Sequence, residues 1–229
     1  MIMAGRRGNG PRACATRERI ITAAERLFAE RGVVAVSNRQ ISEAAGQGNN
    51  TAVSYHFGAK EELVRAIVRR HAEPIERARV ALLARERGCG SVRDWVGLLV
   101  HPVTGHLAEL GVPSWYGRFG AQAMADPGLR EIMVAESLST PSMRDVLDGL
   151  SSCADLPLAA HLERSEMAGQ LMIHMCAERE RRLAEGVTTP ASTWHAAAVG
   201  LVDAITGIWL APVTPAEHSG SGSAGGSRG

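Results

Sequence analysis

Residues 17–68 read RERIITAAERLFAERGVVAVSNRQISEAAGQGNNTAVSYHFGAKEELVRAIV, and this stretch decides the fold. Apolar residues recur at helical spacing in its first part, where Ile20, Ala24 and Phe28 share one face. Gly32 then provides a typical helix stop. We therefore predict a first helix that begins with this stretch and ends just before the glycine.

Two short helices are predicted after the first one. Ser37 and Gln40 form a Ser-x-x-Gln capping box, which opens a helix that ends before Gly46. A polar turn follows, and the next short helix is predicted from Thr51 to Phe57. Two short helices that are joined by a glycine-containing turn and braced by a third form a helix-turn-helix, whose second helix fits the major groove of DNA.

The outer face of the second short helix and the turn before it are polar, and none of their side chains is acidic. Amides predominate in the turn, and Asn and Gln are the residue types that pair with adenine through two hydrogen bonds. This pattern favours contact with DNA over contact with water alone. The polar residues are Gln47, Asn49, Asn50, Thr51, Ser54, Tyr55 and His56.

The charge distribution also favours a nucleic-acid partner for the N-terminal part. The net charge of the whole chain is only +1. Residues 1–80, however, hold 14 Lys and Arg against 8 Asp and Glu, whereas residues 81–229 hold 11 against 16. A basic front and an acidic rear indicate that only the front approaches a polyanion.

These motifs resemble the N-terminal domain of the TetR/AcrR family of transcriptional regulators. The resemblance rests on AAERLFAERG in the first helix, Ser-x-x-Gln-Ile-x-x-Ala-Ala-Gly in the second, YHF at the end of the recognition helix and KEEL after it. It covers about 50 of the 229 residues, and the remainder resembles the family only in length and helical character. The resemblance implies a sequence-specific regulator, by family default a repressor.

The resemblance also implies a role for each matching position. Ser37 would cap the second helix and touch a phosphate, and Arg39 would reach a base edge or a phosphate. Residues at the front of the recognition helix would contact bases, and those at its end would hold phosphates. The stretch between Gly46 and Lys60 is one residue longer than is usual in the family. The implied DNA contacts are Ser37, Arg39, Gln47, Asn49, Asn50, Thr51, Ser54, Tyr55, His56 and Lys60.

The rest of the chain is predicted to be helical nearly throughout, because alternating β-branched runs are missing. A long helix begins around Lys60, and Pro74 should kink or break it. The fold class is therefore all-α. The predicted organisation is a disordered tail at 1–15, a three-helix helix-turn-helix domain at 16–62, a helical ligand-binding and dimerisation domain at 63–212, and a disordered Gly/Ser tail at 213–229.

The last predicted helix carries an apolar stripe beside a stripe of small residues. Glycines inside a helix cost about 1 kcal/mol each, and the close approach of another helix would offset this cost. The family resemblance favours a homodimer, in which two recognition helices lie about one DNA turn apart. Packing within one subunit is the alternative. The predicted interface comprises Met167, Leu171, Met175, Ala197, Gly200, Leu201, Ala204, Ile205, Gly207 and Ile208.

The region from 90 to 180 is predicted to hold a pocket for a small-molecule effector. Mixed aromatic, Met and His surfaces suit an apolar ligand with one or two polar anchors. Ordinary core packing is the alternative for each of these residues. The predicted lining comprises Trp95, His101, His106, Trp115, Tyr116, Met124, Met133, Met172 and His174.

Other function classes are disfavoured. The chain has no Walker phosphate-binding loop and no His-Glu-x-x-His motif, so an enzyme is not predicted. Its four cysteines lack metal-ligand spacing, so neither a metal nor a cofactor is expected. The absence of a long apolar run and of a signal peptide favours a cytoplasmic protein without a membrane partner. The leading hypothesis is a repressor released from a pseudo-palindromic operator by a small, largely apolar ligand; the alternative is an architectural DNA-binding protein without a ligand.

Overall fold

The computed structural model describes residues 10–49, 51–85 and 90–214, and within these ranges it contains ten helices and no strand. The predicted all-α fold class is confirmed. None of the helices in these ranges is long and apolar enough to cross a membrane. The helices are α1 (Pro11–Arg31), α2 (Asn38–Ala44), α3 (Ala52–Phe57), α4 (Lys60–Arg85), α5 (Val92–Leu110), α6 (Tyr116–Met124), α7 (Pro127–Leu138), α8 (Pro141–Cys153), α9 (Leu158–Ala184) and α10 (Trp194–Leu210).

Helix α1 begins six residues earlier than predicted. Pro11 occupies its first turn, where the missing N–H would have no partner within the helix, so proline favours a helix start here. The prediction of a disordered tail is therefore wrong for residues 11–15, and residues 1–9 lie outside the described ranges. The helix ends as predicted at Gly32, whose φ of +82° suits glycine.

Helix α4 continues through Pro74, so of the two predicted effects of this proline, a kink or a break, the break is wrong. The proline removes one backbone hydrogen bond. However, α4 packs against α1, α3, α5, α7 and α8, and tertiary packing contributes most of the stability of helices in proteins. Pro102 lies inside α5 in the same way.

Two apolar clusters form the core. The first joins α1–α4 to α6 and α7; in it the rings of Phe28 and Phe119 stack with centroids 6.3 Å apart. The second joins α5, α8, α9 and α10, with Trp209 fully buried in it. The predicted domain boundary at 62/63 falls near the start of α4, whose residues contribute to both clusters. The helix-turn-helix is thus continuous with the C-terminal helices through a shared core.

One face of α10 is buried against α5 within the same chain. Leu201 and Ile205 lie in the second cluster and are almost inaccessible to solvent. The prediction that these two residues form a dimer interface is therefore wrong, because α5 covers the apolar stripe that carries them.

The opposite face of α10 is exposed. Gly200, Ala204 and Gly207 are accessible, and a Cβ placed on either glycine would meet no described atom within 4 Å. Met167 and Met175 on α9 are about half exposed. Packing within one subunit therefore does not account for the small-residue stripe. Of the other predicted interface residues, Leu171, Ala197 and Ile208 are partly buried.

Candidate nucleic-acid interface and cavity

The predicted capping box at the start of α2 is confirmed. The Ser37 side chain accepts a hydrogen bond from the backbone N–H of Gln40 at 3.3 Å, and the Ser37 N–H donates to the Gln40 side chain at 2.8 Å. These bonds satisfy two N–H groups that a helix start would otherwise leave free. Ile41 in the next turn is fully buried, which seats α2 on the core.

Helix α3 is held in place from three sides. Val53 and Phe57 bury its inner face, and Asn38 of α2 donates a hydrogen bond to Ser54 Oγ at 3.3 Å. Arg17 of α1 donates to the carbonyl of His56 at 3.1 Å, and its guanidinium carbon lies 4.2 Å from the centre of the Phe57 ring. No local motif pointed to Arg17, because its partners lie about 40 residues away in sequence.

Most of the predicted DNA contacts are open to solvent. Tyr55 is 70% exposed, and Gln47, His56 and Lys60 are partly buried. Asn50 lies outside the described residues. The exposed positions are Ser37, Arg39, Asn49, Thr51, Ser54 and Tyr55.

Several of these side chains already have protein partners. Asn49 Oδ1 accepts hydrogen bonds from both the N–H and the hydroxyl of Thr51, at 2.9 and 2.7 Å, and so closes the turn before α3. Gln47 donates to the carbonyl of Ala45 at 3.1 Å. Arg39 pairs with Glu43 at 2.8 Å, an exposed pair that water and salt weaken. Both hydrogen bonds within the turn use Oδ1 of Asn49, and the contact of this residue with a base stays a prediction.

Lys60 has a structural partner set that the sequence did not reveal. Its ammonium donates to the carbonyls of Val33 and Val36, at 3.0 and 2.7 Å. The side chain therefore ties the start of α4 to the loop between α1 and α2. An ammonium has three N–H donors, and these two bonds use two of them; the predicted phosphate contact stays a prediction.

A cavity of about 150 Å³ lies within the helices that follow the helix-turn-helix. Three of the predicted lining residues, Tyr116, Met133 and Met172, do line it. The sequence did not predict the other lining residues. They include residues at helical spacing along one face of α4, together with residues between the start of α5 and the end of α9. The missed residues are Val68, Ala72, Ile75, Arg79, Val103, Leu107, Gly117, Gly120, Ser137, Thr140, Met143, Ile173 and Cys176.

Six predicted pocket residues do not line this cavity, and helix packing explains each case. The Trp95 ring lies directly over Gly149 of α8, and Met124 belongs to the first apolar cluster. Trp115 packs against that same cluster. The other three are histidines: His174 is exposed, the His101 ring faces that of His195 at 6.3 Å, and His106 is hydrogen-bonded to His71.

Helix α6, which forms part of the cavity wall, is capped from α9. Glu180 is buried, and its carboxylate accepts hydrogen bonds from Ser114 Oγ at 2.8 Å and from the N–H groups of Gly117 and Arg118 at 3.2 and 2.9 Å. A carboxylate at a helix N-terminus also interacts favourably with the helix dipole. The start of α6 is therefore fixed relative to α9.

A buried hydrogen-bond chain joins α5, α4 and α1, and a stacked ring connects it to the cavity wall. The ring of Tyr116 stacks on that of His71, with centroids 3.8 Å apart. His71 Nε2 lies 3.0 Å from Glu25 Oε2, and His71 Nδ1 lies 2.8 Å from His106 Nε2. The Glu25 carboxylate can only accept, so His71 donates its Nε2–H to Glu25, and its Nδ1 then accepts a hydrogen bond from His106.

Burial controls the protonation of His106 and Tyr116. Burial, together with the neighbouring His71, lowers the pKa of His106 from 6.5 to about 4, so this imidazole is neutral near pH 7. Burial raises the pKa of Tyr116, which keeps the phenol protonated.

Within the described residues, no group of three or more His, Cys, Asp or Glu side chains is arranged to hold a metal ion.

Comparisons with known proteins agree with this architecture. The profile of the family described as "Bacterial regulatory proteins, tetR family" matches residues 20–67, which span α2, α3 and parts of α1 and α4. A search of curated protein sequences found no significant match.

Solved structures of TetR-family regulators share the fold along most of the chain. The regulator PfmR from Thermus thermophilus is 18% identical, with a TM-score of 0.51 over 87% of this chain and 98% of its own. NalD, the secondary repressor of the MexAB-OprM multidrug efflux pump in Pseudomonas aeruginosa, is 23% identical, with a TM-score of 0.53 over 84% and 96%. The family profile therefore shows that residues 20–67, which hold the helix-turn-helix described above, form the DNA-binding domain of the TetR family, and the solved structures show the same fold along the rest of the chain.

Proposed function

We propose that the chain is a homodimeric repressor that binds a pseudo-palindromic operator and is released from it by a small, largely apolar ligand. The observation that carries this proposal is the position of Tyr116. This residue lines the cavity and stacks on His71, which is hydrogen-bonded to Glu25 on α1 of the helix-turn-helix domain. A ligand that moves Tyr116 would therefore disturb a contact that anchors the DNA-binding domain.

Helix α4 offers a second route between the two regions. Its residues from Val68 to Arg79 line the cavity, and its first residue, Lys60, holds the loop before α2. A shift of α4 would change the placement of the recognition helix, α3. Such coupling requires the ligand to bind the DNA-incompetent state more tightly than the DNA-bound state, because equal affinity for both states shifts nothing.

The homodimer is supported by the exposed small-residue face of α10. Gly200 and Gly207 leave room for the backbone of another helix to approach closely, and the half-exposed Met167 and Met175 on α9 add apolar surface. Two copies in register would present two recognition helices to a pseudo-palindromic site. NalD, which shares the fold, is described as a repressor, and the family resemblance implies the same role.

A fluorescence anisotropy titration tests the DNA-binding part of the proposal. The probe is DNA from immediately upstream of the chain's own gene, compared with a scrambled duplex at about 150 mM salt. We expect a preference of roughly a thousandfold or more for the upstream site, at two subunits per site or a multiple. If the upstream site gives no preference, the best binding site is selected from random duplexes. Equal affinity for that selected site and for scrambled DNA, with a steep salt dependence, would support an architectural protein instead.

Analytical ultracentrifugation of glycine variants tests the dimer. Gly200→Leu and Gly207→Leu should shift the protein toward monomer, because each leucine fills space that a neighbouring helix backbone would need. Gly105→Leu on α5 is the matched control: this glycine is also exposed in a helix, and its Cβ would meet no described atom within 4 Å. Unchanged dimer mass for both α10 variants would place the interface elsewhere.

A further inference from the structure

We infer that the cavity selects an elongated apolar ligand of about ten non-hydrogen atoms that carries a carboxylate, which the guanidinium of Arg79 binds. This inference rests on the proposed function, since it names the ligand class for the same cavity. It starts from the one charged side chain among the residues that line the described cavity.

Arg79 is 2% exposed, and its hydrogen-bonding capacity is only partly used. Its Nε donates to the carbonyl of Leu98 at 3.2 Å. Its Nη1 makes two long contacts, to Glu76 at 3.3 Å and to Ser142 Oγ at 3.4 Å. Its Nη2 carries two further N–H donors, and none of the hydrogen bonds named above uses them. A ligand carboxylate that reaches the guanidinium through the cavity would accept from these donors.

The neighbouring polar groups favour an anion over a cation. Glu76 does not line the cavity, and its carboxylate is already engaged by Arg79 and by the N–H and hydroxyl of Ser142. The hydroxyls of Ser137 and Thr140 donate to backbone carbonyls of α7. A cationic ligand would therefore find no unengaged carboxylate in the wall.

A carboxylate suits the site better than a phosphate. The guanidinium fork matches the planar geometry of a carboxylate. Most of the lining is aliphatic, from Val68, Ile75, Val103 and Leu107 among others, and such a wall disfavours a doubly charged group because it provides no further compensation for lost hydration.

The shape of the cavity sets the size of the ligand. Its α4 wall extends from Val68 to Arg79, eleven residue steps, which is about 16 Å at 1.5 Å per residue. A volume of about 150 Å³ corresponds to roughly ten to fifteen water-sized groups at 10–15 Å³ each, so a ligand of about ten non-hydrogen atoms fits. Tyr116 stacks on His71, beside Ala72, and so lies toward the end remote from Arg79. The acid would sit at Arg79 and the apolar chain would extend toward Tyr116.

Isothermal titration calorimetry of the unaltered protein tests this inference with three probes of equal chain length: octanoate, 1-octanol and octylammonium. Octanoate has ten non-hydrogen atoms. We expect it to bind about tenfold more tightly than 1-octanol, the effect of one additional charge-assisted hydrogen bond, and octylammonium to bind most weakly. Equal binding of octanoate and 1-octanol, or tighter binding of octylammonium, would overturn the inference.

Variants locate the binding. Arg79→Met should abolish the preference for octanoate over 1-octanol. Because Arg79 also holds Leu98 and Glu76, a second variant leaves it intact: Gly120→Leu on α6 fills the cavity, whose wall includes this glycine. Gly105→Leu is the matched control, because this exposed glycine does not line the cavity. Octanoate binding that survives in Gly120→Leu as in Gly105→Leu would place the acid elsewhere and overturn the inference.

The operator titration separates this inference from the proposed function. Carboxylate-selective binding that leaves operator affinity unchanged would support the ligand class while refuting release by the ligand. Operator binding without any carboxylate selectivity would overturn the ligand class while leaving specific DNA recognition standing.

Discussion

Removing Glu25 and His71, singly and together, tests whether the buried chain between α1 and the cavity is energetically coupled. Both side chains are buried, at 4% and 2% exposure, and their polar atoms are 3.0 Å apart. The three variants are Glu25→Leu, His71→Leu and the double substitution. Each replaces a polar side chain by an apolar one that fills much of the same space.

The structure sets the expected magnitudes. His71→Leu leaves the Glu25 carboxylate buried, with the guanidinium of Arg70 at 3.9 Å as its remaining described partner, which should cost about 3–5 kcal/mol. Glu25→Leu leaves one imidazole N–H without its acceptor, at about 1–3 kcal/mol. The double variant leaves neither group unpaired; only His106 loses an acceptor. We therefore expect the unfolding free energy lost in the double variant to be smaller than the sum of the two single losses by about 2 kcal/mol or more.

Urea unfolding followed by circular dichroism measures these differences. All variants are compared at one protein concentration, because the stability of a dimer depends on concentration. Glu25→Gln is the mild control: the amide oxygen still accepts from His71, so the loss should be about 1 kcal/mol. Effects of the two leucine substitutions that add to within about 0.5 kcal/mol would refute the coupled chain.

Three further predictions concern pH, DNA contact and the α1–α2 loop. The folded pKa of His106, about 4, lies below its ordinary value of 6.5, so the unfolded state binds the proton first. Stability should therefore decline as the pH falls from about 6.5 to about 4, and His106→Gln should flatten this part of a urea-midpoint profile; an unchanged profile would contradict the assignment. Tyr55→Phe should weaken binding to every DNA duplex, because the hydroxyl is expected to contact a phosphate, and should leave the melting temperature of the protein unchanged, because this side chain is 70% exposed. Fluorescence anisotropy measures the binding and thermal melting measures the stability. A lower melting temperature would give the hydroxyl a structural role instead. Lys60→Met should lower the unfolding free energy by about 2–3 kcal/mol, since the carbonyls of Val33 and Val36 lose their charged donor. It should also reduce the slope of log affinity for DNA against log salt concentration by about one. An unchanged unfolding free energy together with an unchanged slope would contradict both the structural role and the phosphate contact.

The helix-turn-helix was predictable from sequence because its signals are local. The capping box of Ser37 and Gln40 uses residues three apart, and the stop at Gly32 depends on one residue's backbone freedom. The effect of Pro74 was not predictable in the same way. Whether a proline interrupts a helix depends on how strongly the rest of that helix is packed, and α4 packs against α1, α3, α5, α7 and α8.

The cavity lining was only partly predictable, because residue type does not reveal which helix faces which. Tyr116, Met133 and Met172 were found through their aromatic and thioether character, which often lines apolar sites. The same reasoning included Trp95 and His174, which do not line this cavity: one packs on a neighbouring helix and the other is exposed. A further histidine, His106, proved to be part of a buried hydrogen-bond chain.

The amino-acid sequence by itself determined the helical class, the position of the two short helices and the family of the DNA-binding domain, since periodicity, caps and a polar outward face act over a few residues. Only the tertiary structure decided that α5 covers Leu201 and Ile205 while Gly200 and Gly207 stay open. It likewise decided that Arg79 and Tyr116, 37 positions apart, line one cavity. These outcomes depend on the rotation and packing of whole helices, which a local sequence pattern does not specify.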